Sequence, residues 1–450
     1  MYHVLSRDDA LYMDIQQTLN LEIKRRFAEQ GIESAYPTST AMIVMLTTIV
    51  AFLVATQVQS QERWPGWRGP DRDGSLVGFS APEGWPDRLE LKWKQEIGSG
   101  YASPVVSDGR VYVFSRQEGR ELVSCLELTS GKILWQQSYP APHRVNPAAA
   151  SHGPGPKSTP VLHDGKLCVF GLSGILSCYE AKSGIPLWRR GFSDQFSATA
   201  PLYGTAMSPL AEAGLLYLHV GGNDDGAFTA FSISTGEVEW RWDGDGPAYA
   251  SPILAEIGGV RQIVTFTQEN LVGLHVSTGK VLWRIPFTTA WTQNSVTPLA
   301  LGDKIIYSGL ERGITAVKVT RSGDKWSTET VWENDDLSMY MSSPVVDGDL
   351  LFGLSQYKKG QFFCIDVRTG RTLWVSGGRQ GENAAVLRGD GLLFLLTNQA
   401  KLVVAPASAE GFAPIRTYEV AESPTWAHPA ILGNQILIKD DSSIALWTLE

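Results

Sequence analysis

The amino-acid sequence predicts an all-β fold, an eight-bladed β-propeller over residues 89–450, closed by an N-terminal strand and preceded by a short helical and apolar extension. Three observations carry this reading. The stretch "TSGKILW" (residues 129–135) returns as "KSGIPLW" (182–188), "STGEVEW" (234–240), "STGKVLW" (277–283) and "RTGRTLW" (368–374). A catalytic signature is needed once, whereas a building unit recurs. A small or polar residue before proline, or a degenerate form of that pair, recurs at Ser103-Pro104, Thr159-Pro160, Ser208-Pro209, Ser251-Pro252, Thr297-Pro298, Ser343-Pro344, Ala384-Ala385 and His428-Pro429. Their spacing, about 41–56 residues, suits a four-stranded blade. The last unit has room for three strands only, and "LELKWKQEI" (residues 89–97) offers the fourth. Pairing the two ends removes the exposed edges of an open array. Seven is the competing count, should the degenerate unit at Ala384 not be a blade.

Ahead of the propeller the chain changes character. Within residues 1–40, Ile15, Leu19, Ile23 and Phe27 give an approximate helical apolar stripe. This stretch, "DALYMDIQQTLNLEIKRRFAEQGIESAYPTST", resembles the carboxyl-terminal end of the cytoplasmic vestibule of MscS-type mechanosensitive channels. It includes no pore helix and implies no channel. It reads as a fusion remnant or an over-extended start, with Met42 or Met45 as alternative beginnings. Residues 41–60 read as a signal peptide or membrane anchor. The run "AMIVMLTTIVAFLVA" (41–55) is too short to span a bilayer comfortably, and Val58 and Ser60 suit a signal-peptidase site. A basic n-region is missing, and a buried core helix is the alternative. The expectation is a periplasmic or otherwise extracytoplasmic propeller, touching a membrane only through residues 41–55 if uncleaved. Residues 61–88 form an extended lead-in.

Composition bounds the function. At 43% apolar and 10% aromatic, the chain can bury a substantial core. A net charge of −9, with no Lys/Arg cluster interleaved with aromatics, argues against a nucleic-acid partner. The four cysteines contain no CxxC pair, which disfavours zinc or thioredoxin-like sites. Cys168 and Cys178 flank a turn at Ser173-Gly174. They are either joined across a hairpin or, the favoured reading, serve as small buried hydrophobes.

Within a unit, two apolar runs flank a tight turn, as at Asp108-Gly109, Asp164-Gly165 and Gly433-Asn434. A third strand, a Ser/Thr-Gly turn and a fourth strand bearing Trp follow. Trp93, Trp135, Trp188, Trp240, Trp283, Trp332 and Trp374 are the expected wedges between blades, with Tyr418 in the equivalent place of another unit. An indole can bury about 150–250 Å² there.

These units lack the Gly-His and Trp-Asp marks of WD-type repeats. They resemble the repeats of pyrroloquinoline-quinone (PQQ) propellers, whose docking motif is D-x-x-T-G-x-x-x-W. "IDVRTGRTLW" (365–374) matches it best, with Asp366 in the acidic position. The opening "WPGWRGPDRDG" (64–74), followed by "GYASPVV", looks like a secreted subgroup of PQQ-like, BamB-like propellers. Resemblance to quinoprotein dehydrogenases would imply PQQ and calcium on the channel axis with an Asp base. This chain has no adjacent Cys-Cys pair and no Glu, Asn and Asp set that aligns with the calcium ligands. Resemblance to the BamB-like proteins implies a non-catalytic module, although no Cys follows the apolar run for lipid attachment.

Loops joining the outer strand of one blade to the inner strand of the next should converge on one face. Two are long, 140–158 and 193–208, and bring His143, His152, Lys157, Asp194 and Tyr203 to the mouth. Tyr101, Tyr249 and Trp426 each stand three residues before a blade-opening proline. Trp291, Asn294, Tyr340, Glu382, Asn383 and His428 occupy comparable loops. The expected binding residues are Tyr101, His152, Lys157, Tyr203, Tyr249, Trp291, Asn294, Tyr340, Asn383, Trp426 and His428, forming an aromatic ligand cup. The competing reading is that they only pave the mouth. No third partner at diagnostic spacing makes His152 or His428 a metal ligand, and "GGNDDGAF" (221–228) reads as a turn rather than a calcium loop. Nucleophile elbow, P-loop and Rossmann fingerprints are absent. No catalytic residue, metal or cofactor is therefore expected. The favoured function is an exported binding or scaffold module for a protein or envelope component. The alternative is a quinoprotein-like oxidoreductase.

Overall fold

The computed structural model describes residues 63–449. The helical stripe, the apolar run and the cleavage site lie outside them. Among the described residues, no helix is long and apolar enough to cross a membrane.

The described chain forms eight four-stranded antiparallel sheets, arranged as the expected eight-bladed propeller. Blades 1 to 7 are consecutive meanders over residues 105–140, 161–190, 210–242, 253–286, 299–334, 345–375 and 384–419. Blade 8 takes three strands from the C-terminal end and its outer strand, Glu90–Glu96, from the N-terminal side. That strand runs antiparallel to Ser443–Thr448, from Glu90 opposite Thr448 to Glu96 opposite Ser443. The unit at Ala384 is a full blade, which excludes the count of seven.

Local chemistry explains the strands. Asp108 and Gly109 both have positive φ, 52° and 69°, as do Asp164 and Gly165 at 46° and 71°. Such pairs make the two-residue turns whose twist matches the flanking strands. The second and third strands are apolar without alternation because neighbouring blades cover both faces. Arg110–Gln117 buries six consecutive residues, whereas the outer strand Ile133–Pro140 alternates and is mostly exposed. The cores are accordingly seams between blades. Val105, Tyr112 and Phe114 of blade 1 pack with Leu167, Val169 and Tyr179 of blade 2. Cys168 and Cys178 stand opposite each other in blade 2, 4.1 Å apart at Cα, and form a disulfide. This corrects the favoured reading of two separate thiols, because direct cross-strand pairing aligns both side chains on one face. Cys125 and Cys364 remain buried thiols, each pushed up to about 12 by burial.

The recurring Gly and Trp act on each other across seams. The Trp93 indole donates to Leu128 O at 2.8 Å, Trp135 to Ala181 O at 3.0 Å, Trp188 to Ile233 O at 3.0 Å and Trp240 to Val276 O at 3.0 Å. Trp332 reaches Val367 O and Trp374 reaches Ser408 O, both at 2.8 Å. Each acceptor belongs to the following blade. For five of the six a turn glycine of that blade lies flat on the indole, whereas blade 7 has no such turn and Phe412 packs on Trp374. A Cβ at Gly131 would come within 2.6 Å of Trp93, and one at Gly184 within 2.6 Å of Trp135. Their φ values, 69° and 74°, favour glycine independently. Trp283 differs. Blade 5, which follows it, lacks the Ser/Thr-Gly turn, and Trp283 donates instead to Gln262 of its own blade at 2.6 Å.

The Ser/Thr-Pro openings form a relay around the channel. Ser103 N donates to Thr159 Oγ1 at 3.2 Å, Thr159 N to Ser208 Oγ at 3.0 Å and Ser208 N to Ser251 Oγ at 3.0 Å. Thr297 N donates to Ser343 Oγ at 3.0 Å, and His428 N to Ser103 Oγ at 2.9 Å. Each hydroxyl thus satisfies a backbone donor of the preceding blade that would otherwise be orphaned in the seam.

The lead-in crosses the axis. Trp64 pairs with Val106 of blade 1, and Pro65 O accepts from Leu162 N of blade 2 at 2.8 Å. Arg72 sends Nη2 to Ser208 O, Nη1 to Pro209 O and Nε to Pro252 O, at 3.1, 2.8 and 3.0 Å, holding blades 3 and 4. Trp67 reaches Thr297 before blade 5, Arg68 reaches Pro344 before blade 6, and Gly74 accepts from Arg388 N of blade 7. Trp67 also packs on His428, which opens blade 8, with ring centroids 4.3 Å apart. One short segment therefore touches all eight units and closes the channel.

Candidate functional site

Above this plug the blade-connecting loops enclose a cavity of about 180 Å³. It is built from the loops entering all eight blades, and the loop 140–158, which leads into blade 2, contributes a short helix, Pro147–His152. Asn146 caps that helix, its side chain accepting from Ala148 N. Pro156 O then accepts from Tyr101 N and Ala102 N at 2.8 and 3.0 Å, tying the loop to the entrance of blade 1.

Nine of the eleven expected binding residues line the cavity: Tyr101, His152, Lys157, Tyr203, Tyr249, Tyr340, Asn383, Trp426 and His428. Their rings interlock. His152 meets Trp426 with centroids 4.4 Å apart, Tyr203 meets Tyr249 at 5.9 Å, and Tyr101 meets Trp426 at 6.4 Å. Tyr249 Oη accepts from Tyr203 N at 3.2 Å, and Tyr340 donates to Gln293. Asn383 Oδ1 accepts from Ser342 Oγ at 2.7 Å.

The other two lie elsewhere. Asn294 is fully buried, with Nδ2 donating to Thr267 O, Gln268 O and Phe287 O and Oδ1 accepting from Thr289. Its side chain is consumed in holding its own loop. Trp291 is 73% exposed and does not line the cavity, because positive φ at Trp291 and Thr292 turns the loop outward there.

Residues 119–376, more than half of the chain, match the family model described as outer membrane protein assembly factor BamB. The chain belongs to the BamB family. It is 25% identical over 228 residues to the outer membrane protein assembly factor BamB of Shewanella oneidensis, covering 48% of this chain and 55% of that protein. The match thus spans about half the length of that curated relative. The solved structure of BamB from Moraxella catarrhalis is similar with a TM-score of 0.58 at 13% identity, over 80% of this chain and 99% of that one. A quinohemoprotein alcohol dehydrogenase from Comamonas testosteroni gives 0.63 at 12% identity, over 88% and 82%. At such identities the likeness is one of fold.

The electrostatics of this BamB-family cup are simple. Burial pushes His152 down to about 4 and His428 to about 3, with the charges of Lys157 and Arg68 adding to the effect. Both imidazoles are neutral at pH 7. Burial raises Tyr101 and Tyr249 well above the usual phenol range, so their hydroxyls stay protonated. Among the described residues that line the cavity, Lys157, pushed down to about 8 by burial, is the one cation, and none is a carboxylate. This donor set does not fit calcium-bound PQQ. Three carboxylates and a cation need compensating ligands, and the cup offers one ammonium. Among the described residues no three His, Cys, Asp or Glu side chains group as a metal site.

Sequence reasoning missed Trp67, Gln293, Ser295 and Thr297, which also line the cup. Trp67 comes from the lead-in, and nothing local shows that a segment ahead of the ring returns to its axis. Its neighbours held a signal: two arginines and a second tryptophan among glycines and prolines, in a stretch more aromatic than a solvated linker requires.

Proposed function

We infer that this chain is an extracytoplasmic, non-catalytic binding propeller, whose mouth receives part of a protein or envelope polymer. One observation carries the reading: the aromatic cup is closed beneath by the lead-in, so it is a socket rather than a passage. Membership of a family of outer membrane protein assembly factors supports an envelope setting and a protein partner. The quinoprotein alternative rests on fold likeness alone, and the single ammonium of the cup speaks against it.

A photo-crosslinker placed at Met341 in the mouth of the full chain, compared with one at Asp108 on a hairpin turn of a blade, tests the socket in cells. A defined adduct from Met341 alone is expected, and it should disappear on Trp426→Ala. Equal adducts from both positions would sink the reading. Titration of the purified protein with PQQ and calcium tests the rival. Dye-linked alcohol oxidation by the loaded protein would establish it in place of the binding role.

A further inference from the structure

Lys157 is a cation without a counter-charge. Its Nζ donates to Tyr203 O at 3.0 Å, and burial alone moves it, with no carboxylate acting on it. The titratable groups around it are His143 and His152 of its own loop, Tyr101 from the loop into blade 1, and Tyr203 and Tyr249 from the loops into blades 3 and 4. Asp440 and Asp441, beyond Tyr101, act on Tyr101 and on the buried ammonium of Lys439. An ammonium partly removed from water and left unpaired favours a ligand that brings one negative charge.

A second observation is independent of charge. His428 is only 3% exposed, lines the cup, and its Nδ1 has no hydrogen-bond partner. A buried polar atom of this kind costs free energy until something bonds to it. Asn383, whose Oδ1 accepts from Ser342 Oγ, adds a side-chain amide to the wall. Ser251, Ser295 and Thr297 add hydroxyls to the wall. The occupant must therefore carry several polar groups as well as an acid.

The third observation is shape. Aromatic side chains from five loops and the plug surround a cavity of about 180 Å³, below the roughly 300–1,000 Å³ of sites for drug-sized ligands. A single six-membered ring fits such a space. A flat apolar acid would leave the amide, hydroxyl and imidazole groups unpaired. A pyranose answers both demands, with C–H edges against the electron-rich ring faces and hydroxyls for the polar wall.

Resting on the reading of the cup as a socket, we propose that it recognises one acidic sugar residue, a pyranose bearing a single carboxylate, as part of an envelope polysaccharide. The carboxylate pairs with Lys157, the ring lies between the Tyr203–Tyr249 and Trp426 faces, and a hydroxyl completes His428 Nδ1.

The test is calorimetric titration of the full-length purified protein with glucuronate, methyl glucoside and benzoate. At pH 7, glucuronate should bind at least tenfold more tightly than either other probe. Lys157→Met should abolish that preference. For the native protein, glucuronate affinity should hold below pH 8 and fall above it as the free ammonium loses its proton. Lys157→Arg should keep the preference and lose the fall, since guanidinium stays charged. Equal binding of glucuronate and methyl glucoside overturns the charge selection while leaving the socket standing. Benzoate binding as tightly as glucuronate overturns the sugar. Silence of all three probes overturns the proposal as well, and the cross-linking pattern then shows whether the socket reading falls with it.

Discussion

Single side chains in this ring have sharply different stakes. Trp332 is 7% exposed and its indole N–H is bonded across the seam, so Trp332→Ala leaves a cavity and an orphaned carbonyl together. A loss of about 3–5 kcal/mol is expected in denaturant unfolding. Trp135, more exposed on its outer strand, should lose less. Buried histidines set an acid limit. His219, down to about 4, and His428, down to about 3, are buried neutral, whereas in the unfolded chain both titrate near 6.5. As pH falls below 6.5 the unfolded state takes up protons that the folded state refuses, so stability is lost on acidification and regained on returning to neutrality. Each site contributes up to about 1.4 kcal/mol per pH unit in that window. Chemical unfolding at pH 7, 6 and 5 measures the slope, and His219→Gln should make it shallower. Most aromatic positions of the cup were legible in the sequence because they stand just before a blade-opening proline, three residues ahead for Tyr101, Tyr249 and Trp426 and four for Tyr340. Asn294 shared that address, yet whether an amide faces a cavity or caps its own loop depends on three carbonyls that the address does not reveal.

At the scale of elements, the wedge motif and its glycine turn were readable because they repeat, and repetition exposes the common geometry. The missing glycine turn does not by itself explain the exception at Trp283, since Trp374 reaches Ser408 O although blade 7 lacks that turn too. The lead-in was not readable. It appears once, has no period, and its partners are spread from Val106 to His428. Its weight is nonetheless concentrated. Arg72 alone satisfies three carbonyls from two blades. Arg72→Met should leave all three unbonded in a dry channel, at about 1–3 kcal/mol each before relaxation. The expected outcome is a loss of at least about 3 kcal/mol in equilibrium unfolding. A loss within 0.5 kcal/mol, the range of surface substitutions, would mean that the plug is not held by this residue.

For the whole molecule, closure makes eight local seams into one cooperative object. Blade 8 depends on Glu90–Glu96 for its outer strand, and Trp93 on that strand fixes the seam to blade 1. Deleting residues 89–97 should therefore broaden or split the thermal transition of the entire ring. An unchanged, single sharp transition would count against closure by this strand.

The plug and the closing strand also impose an order in time. Both precede every blade in the sequence, yet their partners include Arg388, His428 and Ser443–Thr448, in the last two blades. Early blades can form from local contacts, but the axis stays open and the first seam unsealed until blades 7 and 8 are in place. A chain cut before Ser443 would leave Glu90–Glu96 without its partner strand, so that seven complete blades and a filled axis would still make no finished ring.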